Sequence, residues 1–273
     1  MDKTRVLFIS QEITPYLPET EMSNIGRYLP QGIQEKGREI RTFMPRFGNV
    51  NERRNQLHEV IRLSGMNLII NDTDHPLIIK VASIQSARMQ VYFIDNEDYF
   101  HRKAIFQGKD GHYFEDNDER LIFFSRGVIE TVKKLRWAPD VVHCHGWFTS
   151  LVPLYLKKAF HDDPLFAHSK VVYSVYNDDF TNTFGDDFKS KMKIPGVTDP
   201  DLSLLEQNNF VNLSKLAISQ ADGIIQGSAE INPALATFIQ NSGKPVLGYY
   251  PSEEIVDHYS DFYDKILNVP NEK

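Results

Sequence analysis

The chain has 273 residues, of which 41% are hydrophobic and 25% charged, the balance of an ordinary globular protein. Its single cysteine, Cys144, excludes an intrachain disulfide and favours a reducing compartment, so we expect a soluble cytoplasmic protein. The N-terminal residues carry no signal core, no apolar run approaches the ~20 residues of a membrane helix, and a net charge of -7 disfavours nucleic acid as a partner.

The first 45 residues follow the order strand, loop, helix, strand. A short apolar run with β-branched residues predicts a strand over Arg5–Ser10, and apolar residues at four-residue spacing predict a helix over 24–36, ended by Gly37. A second strand is predicted over Glu39–Pro45. This order is typical of the opening of a parallel α/β sheet.

The next 50 residues, 46–95, differ, because they contain four short strand-like runs. We predict strands over 59–63, 67–71, 77–83 and 89–95, with a hairpin turn at 71–76. These runs indicate an antiparallel extension of the edge of the sheet.

The rest of the chain alternates between helices and strands. Helices are predicted from residue 116 and over 147–160, 202–219, 229–240 and 253–267, and strands over 140–145, 170–175, 222–226 and 245–247. We therefore expect an α/β fold in one domain over residues 1–273. Its sheet should be Rossmann-like, doubly wound and mostly parallel, with at least six parallel strands.

Three segments carry specific motifs. Residues 137–147 read WAPDVVHCHGW, residues 6–15 read VLFISQEITP with Leu-Pro at 29–30, and residues 221–228 follow an Ala-Asp, strand, Ser pattern. Together they resemble the bacterial glycogen and starch synthases, which are ADP-glucose-dependent glucosyltransferases. The first segment is similar to that family's Trp-x-Pro-Asp-Val-Val-His-x-His-Asp-Trp motif.

The resemblance implies one half of a two-domain glycosyltransferase that acts in glycogen (α-1,4-glucan) metabolism. In the family, the N-terminal domain binds the glucan acceptor, the C-terminal domain holds the nucleotide, and no metal or other cofactor is needed. The helix at 253–267 resembles the family's last helix, which crosses back onto the N-terminal domain, so the nucleotide-binding domain is expected to be missing between residues 228 and 253. The partners implied are an α-glucan, ADP-glucose as a possible donor, and a second copy of the chain or a full-length synthase.

The family's Lys-Thr-Gly-Gly turn is altered in this chain. Residues 18–21 read Pro-Glu-Thr-Glu, so two carboxylates stand where a diphosphate would approach and both glycines are lost. Like charges repel by ~1 kcal/mol at 4 Å in water and by more where water is excluded, and glycine is what allows close backbone approach. We therefore expect transfer from ADP-glucose to be impaired or dependent on a partner.

Four residues are predicted to bind the substrate: Glu12, His145, Tyr176 and Asn177. His145 ends the His-x-His motif, whose following Asp is Gly146 here. Tyr176 stands where the resemblance places a His in a Thr-Val-His-Asn motif, and Asn177 is retained. No catalytic residue is assigned.

Nearby residues receive simpler interpretations. Asp178 and Asp179 either cap a loop or meet sugar hydroxyls, and the loop is favoured because Asn and Asp clusters usually make turns. Trp147 is expected in the core. The i, i+2 spacing of His143 and His145 does not match a closed zinc site, so no metal ligand is predicted.

Two alternatives to a synthase-like transferase stay open. One is a non-catalytic glucan-binding or regulatory subunit that pairs with a full-length synthase. The other is an unrelated α/β hydrolase, which requires Glu12, His145 and Asp178 to converge at the carboxyl ends of the strands. Because the resemblance leaves the cleft-forming face without its facing domain, a homodimer is also expected.

Overall fold

The computed structural model describes residues 3–251 and 253–268. Its strands are β1 (Arg5–Ser10), β2 (Glu39–Pro45), β3 (His58–Glu59), β4 (Met66–Ile70), β5 (Thr73–Ile84), β6 (Met89–Asp95), β7 (Val141–His145), β8 (Lys170–Val175), β9 (Gly223–Gln226) and β10 (Val246–Leu247). Its α-helices are α1 (Glu21–Glu35), α2 (Glu97–Phe100), α3 (Asn117–Leu135), α4 (Leu151–Leu154), α5 (Phe188–Lys191), α6 (Phe210–Gln220), α7 (Pro233–Gln240) and α8 (Ile255–Leu267).

The ten strands form a sheet in the order β10-β9-β8-β7-β1-β2-β6-β5-β3, and β4 pairs with β5. Every pair from β10 to β6 is parallel, whereas β5 is antiparallel to β6, β3 and β4. The central strands β7 and β8 are buried along their whole length, which explains their continuous apolar runs. The mostly parallel Rossmann-like sheet with an antiparallel extension is thus confirmed.

The strand order reverses between β1 and β7. From β1 the chain passes through α1 to β2 on one side, and β7 continues to β8, β9 and β10 on the other. Ser10 lies opposite His145, and His145 opposite Ser174, so the carboxyl ends of three neighbouring strands are level. In open α/β sheets a ligand crevice forms at such a reversal, beyond the carboxyl ends of the strands.

Two predicted helices are wrong in extent. Across 147–160, where one helix was expected, there is a 3-10 turn, the short α4 and a π turn over Tyr155–Ala159, because Pro153 has no N–H to continue a regular ladder. The helix expected from 202 begins only at Phe210, since the Asn209 side chain caps it by accepting the N–H of Asn212 at 2.9 Å.

The antiparallel region also differs in detail from the prediction. The strand expected over 59–63 is limited to His58–Glu59. The hairpin turn is not the predicted 71–76 but only two residues, Asn71 and Asp72, both with positive φ. Two-residue turns of this kind match the twist of antiparallel strands, so β5 begins directly at Thr73.

Helix α8 packs on the sheet and on α1. A Cβ placed at Gly223 of β9 would lie 2.6 Å from Ile266 Cδ1, so the helix approaches the strand as closely as a glycine allows. Arg38, just after α1, donates hydrogen bonds to the Ser260 hydroxyl at 3.0 Å and to Asp264 at 2.9 Å. Within the described ranges, no helix is long and apolar enough to cross a membrane.

Candidate functional site

A cleft of about 660 Å³ opens at the carboxyl ends of the strands, where the order reverses. The residues that line it follow β1, β7, β8 and β9, begin α1, or belong to the loop between α2 and α3. They are Gln11, Glu12, Thr20, Glu21, Met22, Phe106, Tyr113, Trp147, Tyr176, Asn177, Asp178, Asp179, Phe180, Ser228, Ala229 and Glu230.

Hydrogen bonds fix the loops around the cleft to one another. The Ser228 hydroxyl accepts the N–H of Asn177 at 3.2 Å and donates to Glu21 Oε2 at 2.6 Å. Thr20 Oγ1 donates to Glu12 Oε2 at 2.7 Å. These contacts tie the ends of β1, β8 and β9 to the start of α1, so the cleft is preformed in the free chain.

The first turn of α1 satisfies its own donors. Thr20 Oγ1 accepts the N–H of Ser23 at 3.0 Å, and Ser23 Oγ accepts the N–H of Thr20 at 2.8 Å, which is a reciprocal capping box. Glu21 then places a carboxylate at the same helix end. A diphosphate approaching α1 would therefore meet the Glu21 carboxylate, and it would find the N–H groups of Thr20 and Ser23 already hydrogen-bonded.

The cleft is acidic. Five carboxylates line it, those of Glu12, Glu21, Asp178, Asp179 and Glu230, and no Lys or Arg is among the described residues that line it. Desolvation raises the pKa of Asp178 to about 7, and the charges of Asp179 and Glu12 act in the same direction. The site thus lacks the cations that usually bind phosphate groups.

Aromatic rings form one wall of the cleft. The ring of Trp147 lies 4.6 Å from Phe180 and 4.6 Å from Phe106, centroid to centroid. Trp147 is buried, as expected, but it also forms part of the cleft wall. Aromatic faces beside hydrogen-bonding carboxylates suit a ligand that has both C–H faces and hydroxyl groups.

A second cavity of about 420 Å³ adjoins the first. The two share Glu12, Phe106 and Tyr113, and the second adds Lys103 and Lys109. The rings of Phe106 and Tyr113 are half-buried where the cavities meet, and they form the wall of a groove at the carboxyl edge.

Three of the four predicted substrate-binding residues line the cleft, namely Glu12, Tyr176 and Asn177. The fourth, His145, lies beneath it and is buried, and its Nδ1 is 2.8 Å from the Tyr176 hydroxyl. Burial lowers the pKa of His145 to about 3, and its Nε2 has no hydrogen-bond partner among the described residues. His145 therefore supports Tyr176 from below.

The hydrolase hypothesis requires His145 to join Glu12 and Asp178 on the surface of the cleft. The two carboxylates are there, but the imidazole is not. Among residues 3–251 and 253–268, no group of three or more His, Cys, Asp or Glu side chains could hold a metal ion.

Asp178, for which a turn was favoured over contact with sugar hydroxyls, lines the cleft. Its Oδ2 accepts the backbone N–H of Trp147 at 3.0 Å, and the side chain is half-buried in the cleft. A signal was available, since Asp178 directly follows Asn177 at the carboxyl end of a buried strand. The aromatic pair Phe106 and Tyr113 was also missed, because no periodicity placed its loop beside β1.

Comparisons with known proteins agree with this geometry. Residues 5–241 match the family model described as the starch synthase catalytic domain. A glycogen synthase of Chlorobium luteolum is 37% identical over 174 residues, which is 63% of this chain and 36% of that protein. A glycogen synthase of Chlorobaculum parvum is 32% identical over 239 residues, 87% of this chain and 48% of that one.

A solved structure has the same fold. The catalytic domain of Starch Synthase IV from Arabidopsis thaliana, bound to ADP and acarbose, superposes with a TM-score of 0.73 at 17% identity, covering 90% of this chain and 51% of that one. The chain thus spans about half or less of the proteins that it matches. From the family model and the sequence relatives, we conclude that this chain belongs to the starch synthase catalytic domain family.

Proposed function

We propose that this glycosyltransferase domain acts in glycogen metabolism by binding an α-glucan acceptor in its cleft, and that it transfers glucose from ADP-glucose weakly or only with a partner. One observation carries the proposal. The preformed cleft at the carboxyl edge combines aromatic rings and carboxylates, and the described residues that line it include no Lys or Arg.

Uncharged carbohydrate matches this lining. Sugar hydroxyls donate hydrogen bonds to carboxylate oxygens, and the C–H faces of the pyranose ring pack on half-buried aromatic rings such as Phe106 and Tyr113. The second cavity adjoins the cleft at Phe106 and Tyr113, and we expect an extended glucan to occupy both.

A sugar nucleotide matches it poorly. Its diphosphate would approach Glu21, Asp178 and Asp179, and each such pair of like charges repels by ~1 kcal/mol at 4 Å in water and by more in a partly desolvated cleft. Lys103 and Lys109 lie in the adjoining cavity and not among the residues of this cleft, so the cations that neutralise a diphosphate beside Glu21 must come from outside the cleft. A donor-binding domain or a full-length synthase is the partner that fits this requirement.

A second candidate is a non-catalytic glucan-binding or regulatory subunit. The same acidic lining favours it, because glucan binding needs no donor site. Both candidates predict glucan affinity and differ only in transfer. We also propose a cytoplasmic setting, with which the buried thiol of Cys144 is compatible. A second copy of the chain is proposed as a partner, and light scattering tests this.

The test is to measure glucan binding and glucosyl transfer on the same preparation. Isothermal titration with maltoheptaose and glycogen should give saturable binding, whereas ADP should bind far more weakly. Incorporation of radiolabelled glucose from ADP-glucose into glycogen separates the transferase from the subunit. A chain that binds ADP but no maltoheptaose would overturn the proposal.

A further inference from the structure

The end of β7 carries no side chain where it meets the cleft. Gly146 has φ +84°, and a Cβ there would lie 2.8 Å from Met22 Cε and 2.9 Å from Gln11 Oε1. These atoms are the ends of flexible side chains, so the positive φ is what chiefly disfavours a side chain at this position. An acidic group at the floor of the cleft is therefore expected from another strand.

Asp178, which follows β8, provides such a group. Its Oδ2 accepts the N–H of Trp147, the residue after Gly146, and this bond fixes the carboxylate above the end of β7. Among the described residues, Trp147 is the one other residue that donates a hydrogen bond to this carboxylate, and the side chain lines the cleft. Trp147 thus anchors the group through Oδ2, and the carboxylate can still accept a hydrogen bond from a ligand in the cleft.

We propose that Asp178 is a specificity-determining residue that accepts a hydrogen bond from a hydroxyl of the bound glucan, beside Trp147. The assignment rests on the proposed function, because it names the group in the same cleft that recognises a hydroxyl of the sugar. Asp179 is its natural comparison, since it is the adjacent carboxylate, lines the same cleft and is exposed.

The charges that face Asp178 make its role depend on pH. Four other acidic residues line the cleft with Asp178. They are its sequence neighbour Asp179, Glu12 after β1, Glu21 on α1 and Glu230 after β9. The pKa of Asp178 is accordingly raised to about 7 by desolvation and by Asp179 and Glu12. An ionised carboxylate makes the stronger hydrogen bond to a hydroxyl, so glucan affinity should rise as pH increases through 7.

The experiment measures maltoheptaose affinity by isothermal titration at pH 6 and pH 8 for the wild type, Asp178→Asn and Asp179→Asn. A charged hydrogen bond implies about a tenfold loss for Asp178→Asn at pH 8, together with loss of the pH dependence. Asp179→Asn should retain the affinity at pH 8 and keep a pH dependence whose midpoint lies at lower pH, because the Asp179 charge helps to raise the pKa of Asp178. Thermal unfolding verifies that each variant is folded, and Asp178→Ser serves as the second variant if Asp178→Asn does not fold.

The outcomes separate this assignment from the proposed function. If the wild type binds and Asp178→Asn binds equally well at both pH values, the assignment is overturned and glucan binding stands. If Asp179→Asn loses as much affinity as Asp178→Asn, the two carboxylates contribute equally to glucan binding and the assignment to one residue fails. If the wild type binds no maltoheptaose at either pH, the proposed function falls and this assignment falls with it.

Discussion

The imidazole rings of His143 and His145 stack beneath the cleft with their centroids 3.8 Å apart, and both residues are buried. His143 Nδ1 lies 2.6 Å from the Tyr263 hydroxyl and its Nε2 lies 2.7 Å from Ser174 Oγ. Burial lowers the pKa of both rings, that of His143 further because of the neighbouring ring. Both histidines are therefore neutral at pH 7, and the pair joins α8 to the floor of the cleft.

This pair should make the protein sensitive to acid. The unfolded chain protonates each histidine near pH 6.5, whereas folded His145 takes up its proton only near pH 3. The stability that the neutral ring contributes is thus present above pH 6.5 and is lost as pH falls below it, at up to ~1.4 kcal/mol per pH unit for each ring. Urea unfolding of His145→Gln between pH 5 and 7 should show a shallower decline than the wild type.

The control for this prediction is His112→Gln, because His112 is exposed. That variant should follow the wild-type curve. Identical pH slopes for His145→Gln and the wild type would contradict the neutral, buried pair.

The same pair shows what the sequence can and cannot predict. The two-residue period of a strand places His143 and His145 on one side of β7, and the resemblance correctly placed the strand. Nothing in the local sequence places Tyr263, which is 120 residues further on, against His143. Strand periodicity is a local property, whereas the depth of His145 below the cleft depends on packing between distant elements.

Gly146 and Gly37 offer a matched test of backbone strain and crowding. Both have positive φ, at 84° and 90°, but a Cβ at Gly37 would meet nothing within 4 Å. Gly37→Ala should cost only the backbone penalty of ~1–2 kcal/mol. Gly146→Ala should cost a further ~1–3 kcal/mol, because its ψ of 165° lies in a region that almost only glycine adopts, and because Gln11, whose Oε1 accepts the N–H of Phe148, would have to shift. Chemical denaturation measures both, and equal losses would mean that the cleft floor has room for a side chain.

Arg120 supports the loop that carries Phe106 and Tyr113. It is fully buried and donates to the carbonyl oxygens of Tyr99 at 2.8 Å and Ile105 at 2.7 Å. Arg120→Met leaves these acceptors unsatisfied, and each costs ~1–3 kcal/mol. We therefore expect a loss of several kcal/mol in the free energy of unfolding, with faster hydrogen exchange across residues 101–116.

Arg126→Met is the comparison, since Arg126 lies on the same helix and is partly exposed, with one bond to the Ile69 carbonyl oxygen. It should cost less and leave exchange in the loop unchanged. Equal exchange in the two variants would show that Arg120 does not hold the groove wall. The sequence predicted the helix α3 that carries both arginines but not this difference, because helical periodicity does not reveal which polar side chain meets a loop.

Asp178 should lower the stability of the protein at neutral and alkaline pH. Its pKa is about 7 in the folded chain and near 3.9 when unfolded, so the folded state holds a proton that the unfolded state has lost between these values. Stability is then greatest below the unfolded pKa and decreases as pH rises through 7. Asp178→Asn removes this effect, and its advantage over the wild type should grow from pH 5 to pH 8, reaching on the order of a few kcal/mol.

Urea unfolding at each pH gives this difference directly, and Asp179→Asn should show a smaller growth, because it removes one neighbouring charge but not the desolvation that chiefly raises the Asp178 pKa. A constant difference between Asp178→Asn and the wild type would mean that the carboxyl is hydrated and titrates normally. The expected growth would instead show that an ionised carboxylate is kept in the cleft although the fold is more stable without its charge. Groups that bind ligands are often retained although they lower stability. If Asp178→Asn is more stable than the wild type yet binds glucan less tightly, the same carboxylate both lowers stability and binds the glucan.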